Sequence, residues 1–148
     1  MKIITGDLLS ITSGVIVQQV NCQNAYGRGL SGIIAQKYPA VLSDYRASFQ
    51  GHTHEEMFGQ LRLIPIRGTD IIVANSYSQF YYGNARKTHI CYTDMNKLVS
   101  NLELLASQFE KIYIPYLIGC DLAGGDWNEL VKRISHLPIT VIQKIKEA

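Results

Sequence analysis

The sequence predicts a three-layer α/β/α fold around a mostly parallel sheet of about six strands, and three observations predict it. Short β-rich runs alternate with segments of helical period, separated by Gly, Pro or polar clusters. Several strand runs are almost continuously apolar, notably Ile71-Ile72-Val73-Ala74, as expected for sheet strands covered on both faces. The apolar run Ile114-Pro115-Tyr116-Leu117-Ile118 also passes straight into Gly119-Cys120-Asp121-Leu122-Ala123-Gly124-Gly125-Asp126-Trp127, a glycine-rich loop that opens onto a helix. Such a loop lets backbone N–H groups converge on an anion without Cβ obstruction, and the helix start adds unpaired donors and partial positive charge. A phosphorylated small molecule is the expected ligand.

Strands are expected over 2–5, 15–20, 59–66, 70–75, 111–118 and 139–143. Helices are expected over 30–37, 40–49, 93–109 and 126–135. The third is the clearest, because Met95, Leu98, Val99, Leu102, Leu105 and Phe109 recur on one face. Pro39 disfavours helical geometry at Tyr38 and starts the next helix, so 30–49 divides into two helices with a bend. Asp126 with Glu129 three positions later reads as a capping box, and Trp127 as a core anchor for that helix. Residues 76–91 form a long polar, aromatic connection between a strand and a helix.

With 148 residues and 47% hydrophobic content, 1–148 fits one domain. A net charge of +2 with scattered Lys and Arg lacks the basic stripe of a nucleic-acid binder. Cys22, Cys91 and Cys120 are too widely spaced for a zinc site and read as buried thiols in a reducing compartment. No apolar run reaches membrane-spanning length, and the expected location is the cytoplasm. None of His52, His54, His89 and His136 falls in a nucleophile pattern, and none is nominated as catalytic.

Three segments follow strands and can line one crevice at the carboxyl end of a parallel sheet: Gly6-Asp7-Leu8, 21–29 and 119–125. The middle one combines Asn21, Gln23 and Asn24 with Gly27-Arg28-Gly29-Leu30. Its amides suit sugar hydroxyls, and its glycines permit close backbone approach. A dinucleotide fingerprint fits poorly, since that motif needs its G-x-G-x-x-G after the first strand and a later ribose-binding carboxylate, whereas these glycines follow the second strand.

Taken together, Gly6-Asp7-Leu8, Val20-Asn21 leading to Gly27-Arg28-Gly29-Leu30, and Ile114-Pro115 leading to Gly119-Cys120-Asp121-Leu122-Ala123-Gly124-Gly125 resemble the macrodomain, an ADP-ribose-binding module. The resemblance spans essentially the whole chain and is greatest to small stand-alone bacterial and phage macrodomains that process ADP-ribose-1″-phosphate, akin to the terminal ADP-ribose protein glycohydrolase branch. It implies a mixed, mostly parallel sheet. It also implies that Asp7 accepts from the adenine amino group beside the Leu8 backbone, that Asn21 meets the distal ribose, and that Gly27, Arg28, Gly29 and Leu30 surround that ribose and its phosphate. Gly119, Cys120, Asp121, Leu122, Ala123, Gly124 and Gly125 then follow the diphosphate, with Asn75 at the end of the fourth strand as a further ligand contact. The implied partner is ADP-ribose or an ADP-ribosylated small molecule or protein, with no cofactor and no metal.

The branch's lysine near the end of the fourth strand is absent from Val73-Ala74-Asn75-Ser76, and Ala123 stands where its aspartate follows the loop. Lys87 in the following connection reads as an exposed, solvated lysine. The catalytic candidates are therefore Asn21, holding the ribose, and Asp121, orienting or deprotonating a water. Asp121 replaces a residue usually glycine there, and its other reading is a hydrogen bond to loop backbone. Asp7 likewise has a second reading as a turn cap. The expected activity is hydrolysis at the distal ribose of ADP-ribose-1″-phosphate, an ADP-ribosylated protein or O-acetyl-ADP-ribose; the alternative is a non-catalytic ADP-ribose reader.

Overall fold

The computed structural model describes residues 1–27 and 29–145. Strands β1 (Lys2–Thr5), β2 (Ser13–Asn21), β3 (Leu61–Pro65), β4 (Asp70–Gln79), β5 (Ile112–Pro115) and β6 (Ile139–Gln143) form one sheet in the order β1-β6-β5-β2-β4-β3. Every pairing is parallel except β3 with β4, so the sheet is mixed and mostly parallel. Helices are α1 (Leu30–Lys37), α2 (Pro39–Ser48), α3 (His54–Met57), α4 (Ala85–Thr88), α5 (Met95–Gln108) and α6 (Trp127–Ile134), with a 3-10 turn at Leu8–Ser10.

Strand alternation divides the core into two layers. Val15, Val17, Ala74, Ile112 and Ile114 pack against Leu98, Leu102 and Leu105 of α5 and Leu130 and Ile134 of α6. Ile16, Ile71 and Val73 point the other way, onto Ile34 of α1 and Val41 of α2. A third cluster, built on Tyr45, Tyr77, Cys22 and Met57, closes one end. Asp44 on α2 and Arg62 on β3 hold the edge strand to that layer through two hydrogen bonds of 2.9 and 2.8 Å.

Boundaries differ from the sequence reading where caps and turns intervene. Asp94 caps α5 by accepting from the Lys97 N–H at 3.0 Å, and Phe109 is extended, which trims the expected 93–109 at both ends. Leu117 adopts a left-handed φ of 64°, so β5 stops at Pro115 instead of running to 118. The Tyr38 backbone breaks α1 from α2, with Pro39 at the first turn, as its ring requires. The larger correction is at β4, which continues four residues past Asn75 to Gln79. Residues 76–79 are therefore strand rather than loop, and α4 forms within the remainder. A bulge opposite Gln19–Asn21 inserts one extra residue into β4, which re-aims its final side chains.

Among the described residues, no helix is long and apolar enough to cross a membrane. Leu102 on α5 has no solvent exposure, whereas Leu104 is 47% exposed. Leu102→Ala is expected to cost about 2–5 kcal/mol of unfolding free energy, and Leu104→Ala less than about 0.5 kcal/mol, as read by urea denaturation.

Candidate functional site

The carboxyl ends of the parallel strands converge on three connected cavities. The outer one, about 760 Å³, is lined by Gly6, Asp7, Leu8, Leu30, Tyr116 and Asp121, among others. A middle one of about 310 Å³ lies between the 116–123 loop and the start of α1. The inner one, about 420 Å³, is walled by Asn21, Tyr26, Gly27, Tyr45, Tyr82 and Asn84. Gly29 touches all three; Leu30, Tyr116 and Asp121 join outer to middle, and Gln19, Gln79, Ser31, Leu122 and Ala123 join middle to inner. The result is one elongated cleft.

Its central wall is the glycine loop. The loop folds on itself through Cys120 N–H to Leu117 O (2.8 Å), Gly124 N–H to Asp121 O (3.1 Å) and Gly125 N–H to Gly119 O (2.9 Å). Residues 84–92 then close over it from outside, the Ala85 N–H donating to Leu122 O at 2.8 Å and the Tyr92 N–H to Ala123 O at 2.7 Å. In a trans peptide the carbonyl and the next N–H point in opposite directions. Tying the Leu122 carbonyl outward therefore turns the Ala123 N–H toward the cleft. Among the described residues, the amides of Asp121, Leu122 and Ala123 have no internal acceptor. Three consecutive N–H groups without internal partners at the waist of a cleft are available to an anion. The unpaired first turn of α1 faces them from the other side.

Packing, not ligand contact, explains the other loop glycines. A Cβ at Gly125 would sit 2.5 Å from the Gly119 carbonyl oxygen, and one at Gly124 would sit 2.5 Å from the Ala85 Cβ. Their N–H groups are already bonded inside the loop, so Gly124 and Gly125 are not wall donors as expected. The Cys120 side chain turns into the α5/α6 layer. Burial, then nearby Asp126, pushes its thiol up to about 12, which removes thiolate chemistry. Asn75 is likewise withdrawn: it is fully buried, and its Oδ1 accepts from Gln18 Nε2 at 2.9 Å. Arg28 lies outside the described residues.

Asp7 stands at the outer cavity and also caps the 3-10 turn, its Oδ1 accepting from the Leu9 N–H at 2.9 Å. The cap uses one carboxylate oxygen and leaves the second without a protein donor among the described residues. Asn21 is 8% exposed, and its amide organises the loop after β2. Its Nδ2 donates to Ala25 O at 2.6 Å, while Oδ1 accepts from the Gln23 N–H at 2.9 Å and the Tyr45 hydroxyl at 2.8 Å. Burial raises the Tyr45 phenol above its usual range, keeping it a donor. Asp121 pairs with Arg86 of α4 rather than with loop backbone, on the outer side of the waist. Lys87 is exposed. Asp126 caps α6 through the Asn128 and Glu129 N–H groups. Glu129, however, lies 3.7 Å from Arg133, so the reciprocal half of the expected capping box is replaced by an ion pair along the helix.

Sequence reasoning missed Gln19 and Gln79, neighbours on β2 and β4 that line both the middle and inner cavities. Gln19 Nε2 donates to Gln79 Oε1 at 3.2 Å and to Thr93 Oγ1 at 2.9 Å, and Thr93 Oγ1 donates to Gly119 O at 2.6 Å. The available signal was Gln18-Gln19 interrupting an otherwise apolar strand. Gln79 was hidden because β4 had been expected to stop at 75.

No protein-family model matches the chain, and no curated protein matches it significantly. Solved structures do. A macrodomain protein from Streptomyces coelicolor superposes with a TM-score of 0.71 at 18% identity, covering 99% of each chain. The macrodomain of Mycobacterium tuberculosis DarG gives 0.67 at 16% identity, over 99% of this chain and 97% of that one. Thermosipho africanus DarTG, solved in complex with ADP-ribose, gives 0.70 at 13% identity, over 99% of this chain and 43% of that longer one. With the strand order and cleft described above, these superpositions establish that the chain has the macrodomain fold.

Proposed function

We propose that residues 1–148 act as one macrodomain that binds ADP-ribose along the three-lobed cleft. The carrying observation is the run of unpaired amides at Asp121, Leu122 and Ala123, set at the waist between two larger cavities. An anion flanked by two bulky groups is the ligand shape this requires. The diphosphate lies over these amides, the adenosine in the outer cavity beside Asp7, and the distal ribose in the inner cavity beside the loop that Asn21 organises. The ADP-ribose complex of the similar Thermosipho protein supports this choice of ligand.

Hydrolysis of an ADP-ribose derivative at the distal ribose is the second reading, with ADP-ribose-1″-phosphate, ADP-ribosylated side chains and O-acetyl-ADP-ribose as substrates. It is favoured by preorganised donors that stabilise charge on phosphate oxygens. Against it, the inner cavity has no carboxylate, histidine or lysine among its described lining residues. Asp121 sits on the other side of the waist, paired with Arg86. The geometry therefore favours binding over an inherited hydrolytic centre, and water activation by Asp121 loses support.

Isothermal titration with ADP-ribose beside a turnover assay on the three substrates tests both readings. Saturable binding without product supports the reader; product formation at high protein concentration supports the hydrolase; absence of binding overturns the proposal. Asp7→Ala is expected to raise the ADP-ribose Kd by about ten- to a hundredfold, the loss of one charge-assisted hydrogen bond. Unchanged affinity would remove Asp7 from the site. Arg86→Ala leaves the Asp121 carboxylate unneutralised beside the ligand's phosphates, and is expected to weaken ADP-ribose by about two- to fivefold. Adding Asp121→Asn should restore the affinity, and a double variant no better than Arg86→Ala alone would deny that repulsion.

A further inference from the structure

Gln79 ends β4 at the junction of the middle and inner cavities, and the hydrogen bonds behind it allow only one orientation of its amide. The chain of bonds starts at Asn101 on α5, whose Nδ2 donates to Gln60 O at 3.3 Å and to Ser76 Oγ at 2.8 Å. A backbone carbonyl only accepts, so the Asn101 nitrogen must face it. Ser76 Oγ, having accepted, donates to Ser78 Oγ at 3.0 Å, and Ser78 Oγ donates to Gln19 Oε1 at 2.7 Å. From the other end, Thr93 Oγ1 spends its single proton on the Gly119 carbonyl at 2.6 Å, so it must accept from Gln19. The Thr93 constraint fixes Gln19 with Nε2 toward Thr93 and Gln79 and Oε1 toward Ser78, and the serine chain accords with it; Gln79 therefore turns its Oε1 to Gln19 at 3.2 Å.

The Gln79 Nε2 is then left facing the cleft, and among the described residues it has no acceptor. It offers two uncharged N–H donors at the step from the unpaired loop amides to the inner cavity. We propose that Gln79 is a specificity-determining residue, donating from Nε2 to oxygens of the distal sugar, with its orientation set by Gln19. A neutral donor at this place distinguishes a ligand bearing a hydroxylated group beyond its diphosphate from one that ends there. This inference rests on the ADP-ribose reading above.

The test compares ADP-ribose with ADP, which lacks the distal ribose, by isothermal titration on the wild type, Gln79→Ala and Gln79→Glu. Gln79→Ala is expected to weaken ADP-ribose by about five- to tenfold while leaving ADP within about twofold. Gln79→Glu keeps the side-chain length and the oxygen that Gln19 contacts but exchanges the donor for an acceptor. It should lose ADP-ribose by at least as much and by more than it loses ADP, with an unchanged melting temperature. Equal ADP-ribose affinity in the wild type and either variant overturns the Gln79 assignment and leaves the site reading intact, as does an equal loss of both ligands. A wild type that binds neither ligand overturns the site reading itself.

Discussion

The carbonyl oxygen of Gly119 is the point on which the cleft depends. It accepts from the Gly125 N–H, which closes the loop, and from Thr93 Oγ1, which fixes that closed loop to the start of α5. Everything at the waist follows from these two bonds. The closed turn leaves the amides of 121–123 without internal acceptors, and the same threonine dictates which way Gln19 lies. One acceptor with two lone pairs thus couples the backbone donors of one wall to the side-chain donors of the other.

Charge around the cleft is arranged on the same principle of fixed partners. Asp121 would repel a phosphate if left alone, yet Arg86 is brought to it by a short helix whose first N–H is held by the loop itself. Asp7 caps a turn with one oxygen and has another to present. Asn21 shapes the wall of the inner cavity: its three side-chain hydrogen bonds hold the 21–25 turn against Tyr45. A residue at a binding site can matter by shaping the wall instead of touching the ligand.

Much of this was legible in the chain. Apolar strand runs, the α5 stripe and the glycine loop required little beyond periodicity and the stereochemistry of glycine, and they led to the right layers and the right end of the sheet. What escaped was decided by long-range partners. Residues 76–79 look polar and loop-like, but they are strand because β2 pairs along them, β3 reaches Ser76, and a buried chain of serines and amides satisfies their side chains. Asn75, nominated as a contact, is fully buried, as are its strand neighbours Ala74 and Ser76, and pairs with Gln18 inside the sheet. Gly124 and Gly125 carry the same residue type as true wall positions, and only the closeness of Ala85 and the Gly119 carbonyl shows that they serve packing.

The outward bonds from Ala85 and Tyr92 to the loop carbonyls are made by the fold itself, backbone to backbone. A ligand entering the cleft therefore meets donors that need no ordering, and the entropy of fixing this wall has been expended during folding rather than at encounter. For such a preformed wall, capture is limited by diffusion and orientation and varies little among ligands that fit. Their differences appear in how long each one stays.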